Sequence, residues 1–585
     1  MHRNILAGIV TFLYAYFFVL EIGVCILFPE QSSPAEEFVT RIDWPVVETH
    51  GPMVSLSEAS WESFLQATWA EECLELVASG THNEVLVLDA ILTSLPSPRS
   101  SQLVRAMAVL RTLFSTLVAA TGVLAASRPY SSAYLAKQFP QTFTDSYNIL
   151  KHVGAIGPYS DRVGYGIDPN PPQGCAVDQV IMLMRHGERY PDTTTYGRIK
   201  AVLDKLDAAG VSQWSGDLAF LDDWTFYIDE PGFLEQETFS GPYSGLLHAL
   251  RQGTEYRARY GHLWDGESVV PIFAGDYERV IETARYFGMG FFGYNYSTNA
   301  AINIISENAT RGADSLTPSC PADKSLLACF YAKRTLPQFN VAAARLNAQN
   351  PGLNLNSSDV VPLMSIATYE LQARSYSPWV DAFTLDEWVA FGYVQDLTYY
   401  YCSGAGNPYS VAIGQVFANA SLALLEAGPS HDTMWWNFAH DANITPVVAA
   451  LGLDVPSSPL PNDTVPFPNP YRVTDIVPMG GHLVLERLSC NATAAPTPQG
   501  IYIRALINEA VVPWPKCQSG PGFSCPLPDY ADMVARAPNF VQSCNISALG
   551  YPEYLDFWWR YNTSTEWNFQ HGSIPWQQTY THVNG

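Results

Sequence analysis

The apolar run at residues 180–184 stops at Arg185-His186-Gly187-Glu188-Arg189-Tyr190-Pro191, and this junction constrains the fold more than any other stretch of the chain. A short, unbroken apolar run bounded by polar residues reads as a strand covered on both faces, as in a parallel sheet. Runs at 270–274 and 434–439, the second broken only by Asn437, have a similar character. After the first of these, Asp276 is placed to cap a helix whose buried face would carry Val280, Ala284, Phe287 and Phe291. Residues 482–488 and 501–508, separated by a Cys/Pro/Gly loop, read as two further strands, with a hairpin as one way to join them. Between 298 and 430 the pattern turns mainly helical, at 325–332, 385–400 and 412–427. The expected fold is α/β, a mostly parallel central sheet with helices on both faces and a smaller, mainly helical cap subdomain. The cap would come from insertions at about 192–265 and 298–430 of a domain running from 127 to 585.

Ligands of open α/β sheets bind at the carboxyl ends of strands, so 185–191 is where a site is expected. Two arginines there bracket a histidine across a glycine. Guanidinium forks match phosphate oxygens two at a time, and imidazole is a competent nucleophile towards phosphorus. The glycine would let a phosphoryl group approach the backbone closely. Phosphoryl transfer asks the protein for positioning and charge neutralisation, which arginines provide. No clustered carboxylates or histidines of the kind a metal needs lie at the strand ends, so neither a metal nor a cofactor is expected.

A formal net charge of −25 argues against nucleic acid as a partner, since a phosphate backbone needs a basic face. Eight of the ten cysteines follow residue 170 and none forms a CxxC pair, which favours disulfides in an oxidising compartment over a metal site. Nine N-x-S/T triplets, from Asn295 to Asn562, add N-glycans to that picture. Two segments could direct export. Residues 5–28 are long and apolar enough to span a bilayer and would tether the product to the membrane. Residues 107–126 have the layout of a cleavable signal, in which case 1–106 is an added extension or an artefact of gene prediction. Oligomeric state is not legible.

On its Arg-His-Gly-Glu-Arg-Tyr-Pro segment the chain resembles the histidine acid phosphatases, a branch of the histidine phosphatase superfamily. The likeness is to the fungal secreted acid phosphatases and phytases, and it runs from about residue 141 to the C-terminus. It implies that His186 is the nucleophile that becomes phosphohistidine, with Arg185 and Arg189 holding the phosphoryl oxygens. The segment Asp276-Tyr277-Glu278-Arg279 is similar to the one carrying the family's third arginine, which makes Arg279 the last member of the clamp. Ala439-His440-Asp441-Ala442 is similar to its later His-Asp pair, so His440 would bind phosphate and Asp441 would donate a proton. A second dipeptide, His431-Asp432, precedes its strand instead of ending it and is the weaker candidate. His248 and His482 are expected to be structural. Asn443 begins a triplet beside the proposed acid and is expected to stay unmodified, because a glycan there would crowd the site. The resemblance also implies a Cys175–Cys490 disulfide and a short Cys517–Cys525 loop, leaving Cys320, Cys329, Cys402 and Cys544 unassigned.

An aspartic acid with a reference pKa near 3.9 donates best in acid, so an optimum of about pH 4–6 is expected. The substrate would be a small phosphorylated molecule. With only 31 basic residues, broad monoester hydrolysis is favoured over phytase activity. Arg198 and Lys200 could serve a highly charged substrate or simply form a solvated helix face. A mutase would be revealed by a phosphate isomer as product. A non-catalytic secreted glycoprotein on the same fold is the reading from another class, and it would be expected to lack the nucleophile or the acid.

Overall fold

The computed structural model describes residues 143–144 and 147–571, apart from 229, 325, 492–497 and 562–567. The extension 1–106, with its apolar segment 5–28, and the leader-like segment 107–126 lie outside the described residues. All the described residues belong to one unit of the chain, Arg128–Gly585.

The junction noted in the sequence is the end of strand β1 (Cys175–Arg185), which leads through the motif into helix α1 (Thr193–Ala208). Helix α2 (Gly245–Tyr260), strand β2 (Val270–Gly275), helix α3 (Glu278–Phe292) and strand β3 (Ala300–Ile305) follow. Four longer helices come next: α4 (Pro337–Gln349), α5 (Ser357–Arg374), α6 (Leu385–Cys402) and α7 (Ser410–Ala427). Strand β4 (Met434–Ala439) runs directly into helix α8 (Asp441–Ala450). The remaining strands of the main sheet are β5 (His482–Cys490), β6 (Gly500–Ile507), β7 (Ala510–Val511), β8 (Cys525–Pro526) and β9 (Asn568–His571).

These strands make one nine-stranded sheet in the order β8-β6-β5-β1-β4-β2-β3-β9, with β7 paired to β6. The four central strands, β1, β4, β2 and β3, are parallel, while β5 to β8 on one side and β9 on the other are antiparallel. Side chains still alternate along the central strands, but both faces are covered. Ile181, Leu183 and Trp435 enter one core, and Val180, Met182, Met184 and Trp436 enter the other. That double burial is why their sequences read as nearly continuous apolar runs. Helices α2 and α3 cover the second core, and α7 and α8 belong to the first. The first core continues into a helical cap of α1, α4, α5 and α6. As expected, 482–490 and 500–507 form an antiparallel pair, with Leu485 opposite Ala505.

Three expectations change. The segment 298–430 is not wholly cap, because Ala300–Ile305 is a sheet strand. The segment 192–265 includes α2, which packs against α3 on the sheet. Asp276 does not cap α3, whose N-cap is Tyr277 without a side-chain bond; its Oδ1 accepts instead from the Glu307 amide at 3.0 Å. The face predicted for that helix is buried at Val280, Ala284, Phe287 and Phe291. Disulfides join Cys175 to Cys490 and Cys517 to Cys525, and the four unassigned cysteines pair as Cys320–Cys544 and Cys329–Cys402.

Candidate active site

Parallel strands bring their carboxyl ends to one edge, so the residues after β1, β2, β3 and β4 share it. The pairing of Arg185 with Ala439 and of Ala274 with Phe438 sets the three motif segments side by side. At the centre is His186, only 1% exposed, whose amide donates to the Ala439 carbonyl at 3.1 Å. Its Nδ1 lies 2.9 Å from the Gly187 carbonyl oxygen. A carbonyl only accepts, so Nδ1 carries the proton and Nε2 keeps its lone pair. Burial, and after it the charges of Arg279, Arg185, Arg189 and His440, hold the imidazole well below its usual pKa. A histidine here stays neutral in acid that would protonate a free one.

The surrounding cations are fixed by different parts of the fold. Arg185 is fully buried, donates to the carbonyls of Ala155 and Val477, and forms an ion pair with Asp441. Arg189 donates to the Tyr190 carbonyl, pairs with Asp192 at 3.7 Å and lies over the Tyr369 ring of the cap. Arg279, on the first turn of α3, packs over Tyr277 and is 3.6 Å from Glu235. The Nε atoms of Arg189 and Arg279 are buried donors with no hydrogen-bond partner. Such donors suit an anionic ligand. His440, the N-cap of α8, meets the His186 ring edge-on at 5.6 Å. Burial alone would raise the Asp441 carboxyl, but Arg185, His440, Arg189 and the Tyr399 hydroxyl outweigh it and hold it below the usual value.

The structure thus brings His186, Asp441, Arg185, Arg189, Arg279 and His440 together. Arg198 and Lys200 are engaged elsewhere on α1, the first over the Tyr331 ring and the second with Asp204 at 3.1 Å. His431-Asp432 precedes β4, away from its carboxyl end. His248 is tied to Glu188 at 3.0 Å and His482 to Glu509 at 3.0 Å, both as supports. Among the described residues no group of three or more His, Cys, Asp or Glu side chains could hold a metal ion.

Sequence reasoning missed Glu237, Thr283 and Glu307, and the protein packing behind Gly187. The Gly187 amide donates to Glu237 Oε1 at 2.7 Å and to Thr283 Oγ1 at 2.9 Å. A Cβ at 187 would come within 2.7 Å of Glu237 Oε1 and 2.8 Å of the Gly245 backbone. The close packing of protein behind the motif therefore requires glycine at this position. Thr283 lies one turn beyond Arg279 and was readable as its helical neighbour. Gly187→Ala is expected to lower stability by about 1–3 kcal/mol, measured by urea denaturation. An unchanged midpoint would mean that the Gly245 backbone yields easily.

A sequence model described as the histidine phosphatase superfamily (branch 2) matches residues 176–508. A phytase of Candida albicans is 40% identical over 436 residues, covering 73% of this chain and 93% of that one. An acid phosphatase of Komagataella pastoris is 36% identical, covering 72% and 92%. The constitutive acid phosphatase of Saccharomyces cerevisiae is 35% identical, covering 71% and 91%. Among solved structures, the phytase from D. castellii is similar with a TM-score of 0.67 at 36% identity, covering 74% of this chain and 95% of that one.

Proposed function

The chain belongs to branch 2 of the histidine phosphatase superfamily, and we propose that it hydrolyses phosphate monoesters through a phosphoryl group carried on His186. It is an acid phosphatase, a phosphoric monoester hydrolase like its relatives in Komagataella pastoris and Saccharomyces cerevisiae. One observation carries the assignment of the nucleophile. The Nδ1–H of His186 is committed to the Gly187 carbonyl, and burial among arginines keeps the ring neutral, so Nε2 offers its lone pair at acid pH.

In the first step Nε2 attacks phosphorus and the ester P–O bond breaks, with Asp441 giving its proton to the departing oxygen. In the second, water attacks the phosphohistidine, the N–P bond breaks and the Asp441 carboxylate takes the proton of the water. Arg185, Arg189, Arg279 and His440 neutralise the phosphoryl oxygens throughout. The unpartnered Nε donors of Arg189 and Arg279 support this role.

Glu235 stands beside Arg279 and Glu307 beside His440, while Arg198 and Lys200 have partners of their own. This favours a broad monoesterase over an enzyme dedicated to a polyanion. Phytate hydrolysis is the second reading, supported by the Candida albicans and D. castellii phytases. Phosphate release from an aryl phosphate and from phytate, followed from pH 3 to 8, separates the two. Higher kcat/KM on the aryl ester with an optimum near pH 4–6 is expected; a clear preference for phytate would make the second reading the correct one. Four disulfides and nine N-x-S/T triplets support export through the secretory pathway, to the medium or cell wall.

A further inference from the structure

The geometry points to Glu307 as the residue that orients His440 for the phosphoryl group. This rests on His440 binding phosphate as proposed above. Glu307 comes two residues after the end of β3, and its carboxylate oxygens lie 2.9 and 3.1 Å from His440 Nε2. It is fixed from two sides. Its amide donates to Asp276 Oδ1 at 3.0 Å, and its carboxylate lies against Gly275, where a Cβ would come within 2.2 Å of Oε1.

An ionised carboxylate only accepts, so Nε2 of His440 is the donor in this pair. A hydrogen bond to one imidazole nitrogen settles the orientation of the ring and the role of the other nitrogen. Nδ1 is then the nitrogen left for a phosphoryl oxygen, and an imidazolium held this way presents Nδ1–H to it. Tyr277 supports the same ring edge-on at 5.7 Å.

A carboxylate standing in the place of phosphate would touch the arginine clamp. Among the described residues Glu307 forms no ion pair with Arg185, Arg189 or Arg279, whose acidic partners are Asp441, Asp192 and Glu235. Glu307 therefore grips His440 from outside the clamp. It is a positioning residue, not a competitor for the site.

The test measures kcat and KM on an aryl phosphate, inhibition by inorganic phosphate, and Tm for Glu307→Ala, Glu307→Gln, His440→Ala and the double alanine variant. Glu307→Ala is expected to weaken phosphate inhibition and lower kcat/KM by on the order of ten- to a hundredfold. Glu307→Gln, whose amide oxygen still accepts from Nε2, should recover most of that loss, with Tm held in both. Removing the Glu307 carboxyl in the His440→Ala background should change nothing further. Should Glu307→Ala fail to fold, Glu307→Met fills the volume without an acceptor. If Glu307→Ala binds phosphate as well as wild type or better while His440→Ala weakens it, the positioning role is wrong. If His440→Ala leaves phosphate inhibition unchanged, the error lies in the role given to His440 itself.

Discussion

His186→Ala is expected to lower kcat on an aryl phosphate by on the order of ten-thousandfold, because the variant has no atom left to carry the phosphoryl group. The arginines that hold the phosphoryl oxygens are anchored by other groups. Arg185 is held by Ala155, Val477 and Asp441, and Arg189 by Tyr190 and Asp192. Inorganic phosphate should therefore still bind to the variant, measured by calorimetry. Acid quenching during turnover should trap a phosphoenzyme in wild type and none in the variant. A variant retaining a few per cent of activity would mean that water attacks the ester directly and His186 only assists. Stability offers a separate check. The folded His186 releases its proton well below 6.5, so between that point and 6.5 the unfolded chain holds a proton that the folded one does not. Wild-type stability falls as pH drops through this window. The alanine variant lacks that penalty, and its Tm should fall less than that of wild type between pH 7 and 4.

The parts of the molecule legible in the sequence are those written in contiguous residues. Double burial made β1, β2 and β4 visible as apolar runs, and each ended at one of the recognisable motif segments. Strand β3 was absorbed into the segment 298–430, which reads as mainly helical, although Ala300–Ile305 is broken only by Asn303, as β4 is by Asn437. Both asparagines are buried and donate to carbonyls of their own and a neighbouring strand, so neither interrupts the burial. Missing that strand also hid Glu307, which would otherwise stand out as an acid at a strand's carboxyl end. Glu237 and Tyr399 were illegible for another reason. Each meets the site from a distant segment, Glu237 from 50 residues beyond Gly187 and Tyr399 from the cap helix α6. Only the folded chain brings such pairs together. The Asp276 error is of the same kind, since a residue with good capping chemistry found a better placed donor on another loop.

Asp441→Asn should separate substrates by their leaving groups. A simple alkoxide needs a proton as it departs, so hydrolysis of an alkyl phosphate is expected to fall by about a hundred- to ten-thousandfold. An acidic phenol leaves without help, and its ester should lose no more than about tenfold. In the free enzyme Asp441 is held below the usual carboxylate value, which looks wrong for an acid. The conflict lies in Arg185, which holds the carboxylate of Asp441 while the site is free of phosphate. A bound phosphoryl group draws on the same guanidinium and places negative charge beside the carboxylate, and both changes raise its affinity for a proton. The donor is thus formed in the complex, and the alkaline limb of kcat, where that donor loses its proton, should lie at higher pH than the alkaline limb of kcat/KM. The pairing also contributes stability, present above the unfolded carboxyl's value near 3.9 and lost as pH falls through the lower folded value. Asparagine forfeits that contribution at neutral pH, so the Tm difference from wild type should shrink below about pH 4. Because Arg185 is then free of its counter-charge, inorganic phosphate should bind the variant more tightly. Equal losses on alkyl and aryl esters, with no gain in phosphate affinity, would make Asp441 an anchor for Arg185 and send the search for the proton donor elsewhere in the site.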